Sequence, residues 1–352
     1  MVKTLLNYNK KRFWAGILLA QFVLFYIFSK IQFVVDIFEW FFESKKNFHT
    51  NLLKGIPFSI GDIIYVLIVV IIIIWIITLI LKKKSTLSFK KILILLNVAY
   101  LVYQLLWGMM YFQKPIKENL PEKEVTTKEL KRLTAIYLQK TIEARKHINT
   151  HQDGTFKISN LQKLKEEILK QQKKLPKNII AKKPLNEYNL KNSIFNEWMN
   201  YSGILGYFNP FTGEAQYNKN LPETYIPFTL AHETAHQYGL AKEQEANFFA
   251  FLIGENTSNK DLHYATNYYV LKSLLNALHE EDEYYVDTIL HSYSQGMKKD
   301  REKELLFRKE HQGIIESFFG TTNDLFLKSN RQEGSITYSY FIHLLVQYES
   351  TK

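Results

Sequence analysis

An unbroken apolar run near the N-terminus most limits what this chain can fold into. Ile63 to Leu81 is a stretch of nineteen residues without a charge, and Lys82, Lys83 and Lys84 follow it directly. A helix of that length spans about 30 Å, which matches the hydrocarbon core of a bilayer. The pattern therefore predicts a transmembrane helix and a lipid bilayer as a partner.

Two further apolar segments flank this run. Phe13–Ser29 predicts a span, and no small-residue cleavage site follows it, which favours an uncleaved anchor over a signal peptide. Ile92–Phe112 predicts another span, interrupted only by Asn97 and Gln104. We therefore expect a membrane domain at residues 1–112, with spans at about 13–29, 63–81 and 92–112, and one soluble domain at 113–352.

The basic residues around the spans predict their orientation. The segment before the first span is basic, with Lys3, Lys10, Lys11 and Arg12. The loop between the second and third spans is also basic, with Lys82, Lys83, Lys84, Lys90 and Lys91. The loop between the first two spans carries the acidic residues Asp36, Glu39 and Glu43 as well. The positive-inside rule places the N-terminus and the 82–91 loop in the cytoplasm and everything after Phe112 outside. Ile31–Phe42 carries too many charges to span and is expected to lie along the outer interface.

The net charge of +11 comes mostly from the membrane domain. Residues 1–112 contain 13 of the 45 basic residues and 4 of the 34 acidic residues. The remaining 240 residues contain 32 basic and 30 acidic residues, so their charge is nearly balanced. A nucleic-acid binder would concentrate its positive excess on a folded domain, so nucleic acid is excluded as a partner. The chain has no cysteine, which excludes disulfides, thiolate metal ligands and a cysteine nucleophile.

The soluble domain is predicted to be mainly α-helical with a minor β component. Thr126–Glu129 is a capping box that opens a helix to about His147, and a second helix covers about Asn160–Lys174. Gly206–Asn218 predicts a β-hairpin with Asn209–Gly213 as its turn. Helical periodicity returns from Thr224 and continues almost to the end.

The segment His232-Glu233-Thr234-Ala235-His236 has the H-E-x-x-H pattern. On a helix, residues i and i+4 lie on one face, so both imidazoles can reach a single zinc ion. Glu233 then lies beside the open position, where a carboxylate can take a proton from water. This spacing predicts a zinc site.

Two histidines leave zinc short of one protein ligand, and Glu243 and Glu245 are the candidates for the third. On an unbroken helix Glu243 would lie about 10 Å further along the axis than His236, too far for ligands of one ion. The chain must therefore reverse between them, and Gly239 can do so with a positive φ. We expect a helix, a tight turn and a second helix.

H-E-x-x-H followed by E-x-x-A-N-x-F-A, at Glu243–Ala250, is similar to the gluzincin metallopeptidases, particularly the CAAX prenyl protease and heat-shock membrane protease group. The resemblance implies that Glu243 is the third zinc ligand. It also implies that residue 247, acidic in that group and Asn247 here, supports a zinc histidine. The gap between His236 and Glu243 is shorter than is usual in that group.

Nearly the whole chain also resembles a family of uncharacterised bacterial membrane proteins, known only as a domain of unknown function. The resemblance lies in short motifs spread along the chain: Ile56–Asp62, Leu106–Gly108, Pro210–Ala215, Ile226–Thr229 and Leu327–Gly334. It implies a zinc peptidase anchored in the bacterial cytoplasmic (inner) membrane, with a mostly helical, zincin-like catalytic domain outside. It implies no known substrate.

These observations give one main function hypothesis and one alternative. The first is a zinc metallopeptidase that cleaves a peptide or protein substrate outside the cytoplasm or near the membrane, with Glu233 as general base. The alternative is a non-catalytic, membrane-anchored zinc-binding scaffold or sensor. Proteolysis within the bilayer fits poorly, because the helix around His232 is polar.

Two further features stay open at this stage. The residue that stabilises the oxyanion is left among His263, Tyr264, Tyr268 and Arg331. The Tyr207–Tyr217 hairpin either supplies an edge strand for an extended peptide or acts as a structural flap.

Overall fold

The computed structural model describes residues 11–82, 85–329 and 340–352, and these residues form a mainly helical structure with two small sheets. This confirms the predicted fold class. Several residues named above lie outside the described residues: Lys3, Lys10, Lys83, Lys84, Arg331 and the rest of residues 330–334.

Three of the described helices are long and apolar enough to cross a membrane. They are α1 (Lys11–Phe28), α3 (Ile60–Lys82) and α4 (Ser85–Leu106). Helices α1 and α4 run parallel, since Gln21 Nε2 donates to Asn97 Oδ1 at 2.8 Å and Phe25 contacts Tyr100. The described residues thus include three candidate membrane spans at the predicted places. Which side of a membrane each end faces remains a prediction.

The prediction that the third span reaches Phe112 is wrong. Helix α4 ends at Leu106, and Gly108–Phe112 form a short 3-10 helix. Met109, Met110 and Tyr111 are buried against the rest of the protein, so this segment packs on protein instead of continuing as a lipid-facing helix. Apolar composition alone cannot separate these two environments.

Helix α2 (Gln32–Leu52) is longer than the predicted interfacial segment and has two different faces. Val35, Phe42, Lys46 and Thr50 are buried on one face, whereas the other exposes apolar side chains: Phe33, Ile37, Trp40, Phe48 and Leu52. The Lys46 ammonium donates to Glu43 and to the carbonyls of Lys183 and Tyr238. Helix α2 is therefore fixed to residues that follow the candidate spans in the chain. Its contact with lipid remains a prediction.

The first two α-helices after the candidate spans begin where their caps predict. Helix α5 (Thr127–Arg145) follows Thr126, whose side chain accepts a hydrogen bond from Glu129 N, and α6 (Leu161–Gln171) follows Asn160. A short hairpin, β1 (Asn149–Thr150) and β2 (Phe156–Lys157), separates them. The other helices are α7 (Asn196–Ser202), α8 (Ile226–Tyr238), α9 (Glu243–Glu255), α10 (Lys260–Leu278), α11 (Glu283–His291), α12 (Gln295–His311), α13 (Ile314–Ser329) and α14 (Tyr340–Glu349). One apolar core joins α5, α8, α9, α10 and α14.

The second sheet has the strand order β3-β5-β4. Strands β4 (Gly206–Asn209) and β5 (Glu214–Tyr217) form the predicted hairpin, and β4 is an edge strand. Strand β3 (Leu190–Asn192) pairs parallel with β5. Strand β3 was not predicted, because a strand of three residues is too short to show a period of two.

The carboxylate of Glu214 joins this sheet to the beginning of span α3. It accepts hydrogen bonds from the backbone N–H groups of Ile60 and Gly61, at 3.0 and 2.6 Å, and from Lys191 Nζ at 2.6 Å. A negative charge at a helix N-terminus satisfies unpaired N–H groups and favours the helix dipole. The N-terminus of span α3 is therefore bound to the first residue of β5.

Asp62 makes the second connection between α3 and the sheet. Its carboxylate accepts hydrogen bonds from Ser193 Oγ at 2.9 Å, from Ile194 N at 2.8 Å and from the hydroxyl of Tyr207 on β4. Asp62 is fully buried, so these bonds replace its hydration. The edge strand is held at a fixed place relative to the span.

Candidate metal centre

A helix, a tight turn and a second helix carry the predicted zinc residues, as expected. Helix α8 has Pro227 in its first turn and ends at Gly239, whose φ is +105°. The Gly239 N–H donates to the carbonyls of Ala235 and His236, which closes the helix. Helix α9 then begins at Glu243. The chain therefore reverses between His236 and Glu243, as the sequence distance between these two residues predicts.

The reversal brings three ligand atoms together. One atom each of His232, His236 and Glu243 lies within 4.8 Å of the others, and these residues form the candidate metal-holding group among those described. The Nε2 atoms of His232 and His236 are 3.1 and 3.6 Å from the two oxygens of Glu243. Two imidazoles and one carboxylate are a donor set that suits zinc.

The other ring nitrogen of each histidine has an oxygen partner. His232 Nδ1 lies 2.7 Å from Asn247 Oδ1, and His236 Nδ1 lies 2.7 Å from the carbonyl of Leu240. An acceptor at Nδ1 selects the tautomer with its proton there, which leaves the Nε2 lone pair for a metal. Asn247 was predicted for this position. Leu240 was not, because a backbone carbonyl leaves no mark in the sequence.

Burial controls the charges at this centre. Burial opposes a positive charge on the imidazoles of His232 and His236. For His232 the neighbouring Glu243 carboxylate outweighs burial and raises the pKa. For His236 burial dominates and the pKa is lowered. Burial also raises the pKa of Glu233 to about 8. A cation held by the three ligand atoms would compensate the partly buried carboxylate of Glu243.

Glu233 is buried beside this group, and its Oε2 atom has no hydrogen-bond partner among the described residues. Strand β4 crosses directly over it: a Cβ placed on Gly206 would lie 2.7 Å from Glu233 Oε1. A buried carboxylate oxygen without a partner is costly and suggests a group that the site is built to receive. The unpartnered oxygen and the donor set both fit a metal ion with a water at its open position.

Glu245, the competing candidate, lies elsewhere. Its Oε1 accepts a hydrogen bond from Ile116 N at 3.0 Å and lies 3.7 Å from Lys242 Nζ. The two glutamates are two positions apart on α9, so they point in different directions around the helix. Of the two, Glu243 is the one that joins the histidines.

The oxyanion candidates on α10 are not brought to the metal group. Tyr264 donates to Asp300 at 2.6 Å, Tyr268 stacks on Tyr264, and His263 Nδ1 lies 3.4 Å from the carbonyl of Gly254. Arg331 lies outside the described residues. The oxyanion donor therefore remains unassigned.

The end of span α4 packs beside the metal group, which the sequence did not predict. The Trp107 ring centroid lies 6.0 Å from that of His236 and 4.8 Å from that of Phe208 on β4. Phe42, Met110, Tyr111 and Ala241 complete this apolar cluster. The contact joins residues far apart in the chain, for which local periodicity carries no signal.

The Asn247 amide gives a first testable prediction. Asn247→Ala removes the acceptor at His232 Nδ1, so we expect zinc affinity to fall about 10- to 100-fold. Asn247→Asp offers the same oxygen with a charge and should bind zinc at least as tightly as the wild type. Competition with a chromophoric chelator measures both.

The matched control is Asn267→Ala, which removes a buried asparagine on α10 whose side chain donates to the His263 carbonyl. We expect its zinc affinity to be that of the wild type. Equal affinities for Asn247→Ala and Asn267→Ala would mean that the contact with His232 does not support a metal ligand.

Comparison with known proteins places the chain in a family. The model of a family described as "Protein of unknown function (DUF3810)" matches residues 38–346. Because the match covers most of the chain, the protein belongs to this family. No curated protein and no solved structure matches the chain.

Proposed function

We propose that this protein is a membrane-anchored, zinc-dependent metallopeptidase. The observation that carries the proposal is the convergence of His232, His236 and Glu243 beside the unpartnered oxygen of Glu233. Hydrolysis by a zinc-activated water requires three protein ligands, here two imidazoles and one carboxylate, and a second carboxylate that does not bind the metal. The gluzincin-like pattern of Glu243–Ala250 supports the same reading.

In the proposed mechanism His232, His236 and Glu243 would hold the ion. When bound, zinc would lower the pKa of a water molecule and polarise the peptide carbonyl. Glu233 would take a proton from the attacking water and would then give it to the leaving amine as the C–N bond breaks.

Strand β4 offers a place for an extended peptide. It is an edge strand, and Gly206 lies next to Glu233, so a peptide paired with its free edge would pass the reacting groups. Edge strands present a row of N–H and C=O groups that bind any sequence in extended form. This supports the binding-strand hypothesis over a purely structural flap.

The proposed substrate lies close to the membrane, and the proposed side is outside the cytoplasm. The proposal that the substrate lies close to the membrane rests on the contact of His236 with Trp107, which directly follows the last residue of span α4. The proposed side rests on the basic residues around the spans. The division into a membrane domain at 1–112 and a soluble domain at 113–352 belongs to the same proposal.

The alternative is a zinc-holding scaffold or sensor that hydrolyses nothing. Asn247 favours it, because an uncharged partner supports a zinc histidine less strongly than a carboxylate does. Against it, structural zinc sites use four protein ligands, and the group found among the described residues has three. A catalytic site needs that open position.

The experiment that tests the proposal counts zinc per chain by elemental analysis. It compares detergent-purified wild type with Glu243→Ala and Glu245→Ala, which is a matched control because both glutamates lie in the first turn of α9. We expect about one zinc per chain in the wild type and in Glu245→Ala, and a loss in Glu243→Ala.

Loss of zinc in Glu245→Ala with retention in Glu243→Ala would keep a zinc site but replace the third ligand. No zinc in the wild type would end the metallopeptidase proposal. Zinc with a fourth protein ligand, seen by X-ray absorption, would favour the scaffold.

A further inference from the structure

A second apolar surface lies on helices α7 and α13, beside the N-terminus of span α3. Ile194, Trp198 and Tyr201, in and just before α7, are about half exposed, and Ile314 and Phe318 of α13 are more exposed still. We call these five residues the α7–α13 face. Monomeric soluble proteins rarely leave large apolar side chains together in water, so such a face marks a contact.

The two helices form one surface. The rings of Trp198 and Phe319 meet edge to face with centroids 5.6 Å apart, and Tyr201 meets His311 at 5.0 Å. His311 is the last residue of α12, whereas the contact with Trp198 uses the Phe319 side of α13. Ile314 and Phe318, four residues apart, are left on a shared exposed stripe of α13. The face is therefore built into the fold.

The face begins where span α3 leaves the bilayer. The backbone N–H of Ile194 donates to Asp62 at 2.8 Å, and the uncharged run Ile63–Leu81 follows Asp62 directly. Exposed Phe58 precedes α3, and exposed Phe211 lies in the β4–β5 turn. An exposed apolar surface thus continues from the lipid-facing side of α3 onto α7 and α13.

We propose that the α7–α13 face rests in the interfacial layer of the same bilayer that α3 crosses. Tryptophan and tyrosine prefer this layer, since their rings are apolar and their N–H or O–H groups reach the headgroups. On α13 the exposed stripe carries Ile314 and Phe318, whereas Glu316 and Phe319 lie on the side that packs toward α7, so the apolar stripe faces away from the protein. The partner is lipid, and the recognition needs no specific headgroup.

This inference goes beyond the proposed function and does not depend on zinc. It fixes the soluble part to the bilayer at a second place, beside the edge strand β4. The carboxylate of Asp62 joins both places, because it accepts hydrogen bonds from Ile194 N and from Tyr207 of β4.

The chain has no cysteine, so single nitroxide labels can be placed in the full-length protein without other changes. Phe318→Cys and Ile314→Cys report the face, and Ile74→Cys in α3 gives a lipid reference. Tyr284→Cys on α11, also an exposed apolar residue, is the matched control. The labelled proteins are reconstituted in phosphatidylcholine vesicles, and power-saturation EPR compares access to oxygen and to a nickel chelate.

We expect the oxygen-to-nickel ratio at positions 314 and 318 to exceed that at 284 several-fold and to approach that at 74. A ratio at 314 and 318 equal to that at 284 would overturn the proposal. Spin–spin broadening at these positions that grows with protein density would also overturn it, because a second copy of the chain would then cover the face. The substituted side chains are exposed, so folding is retained.

Discussion

Replacing Glu233 by glutamine is expected to abolish peptide hydrolysis while zinc stays bound. The glutamine side chain has the size of glutamate, so it fits the same buried place beside His232 and under Gly206. It cannot accept the proton of the attacking water, and loss of a general base costs about 10²- to 10⁴-fold in turnover. Mass spectrometry of a peptide library measures cleavage, and elemental analysis measures zinc.

The control for this substitution is Glu245→Gln. Glu245 is also a buried glutamate, but its carboxylate accepts a hydrogen bond from Ile116 N, which a glutamine oxygen can still do. We expect it to keep both zinc and turnover. Undiminished cleavage by Glu233→Gln would exclude Glu233 as the base, and loss of zinc in that variant would make Glu233 part of the metal-holding group.

The metal motif could be predicted because its geometry is local. An H-E-x-x-H pattern needs only the helical repeat to place His232 and His236 on one face. The reversal at Gly239 also followed from the sequence, because Glu243 on a continued helix would lie too far from both histidines. The structure agrees with that deduction.

Helix geometry read from the sequence left both Glu243 and Glu245 as candidates for the third ligand, and only the gluzincin resemblance implied Glu243. The choice between them depends on where α9 begins and how the helix is rotated about its axis, and the fold sets both. The same holds for Leu240, whose backbone carbonyl faces His236, since a carbonyl has no residue type to recognise. Helix termini are the least certain part of any reading from sequence.

The surroundings of the site depend on contacts between distant segments. Trp107 at the end of α4 meets His236, and Asp62 at the start of α3 accepts a hydrogen bond from Tyr207. Hydropathy identified both spans but not the buried environment at their ends. The wrong end of the third predicted span has the same cause, because Met109, Met110 and Tyr111 are as apolar as lipid-facing residues but pack on protein.

Placing a methyl group on Gly206 is expected to slow hydrolysis by about 10²-fold without removing zinc. A Cβ at this position would lie 2.7 Å from Glu233 Oε1 and 2.8 Å from the backbone oxygen of Gln216, so Gly206→Ala must displace the carboxylate or the strand. A displacement of about 1 Å in a reacting group costs about that factor. The atoms nearest to a Cβ on Gly206 belong to Glu233 and Gln216 and to none of the proposed zinc ligands, so we expect unchanged zinc content by elemental analysis.

The matched control is Gly55→Ala, since a Cβ there meets nothing within 4 Å. Its turnover, zinc content and thermal stability should equal those of the wild type. Full turnover in Gly206→Ala would mean that β4 and Glu233 separate easily, and it would remove the main support for a peptide bound along this edge. Loss of zinc together with turnover would instead make β4 a structural support of the metal group. A fall in turnover alone is the result that only a strand placed over the general base predicts.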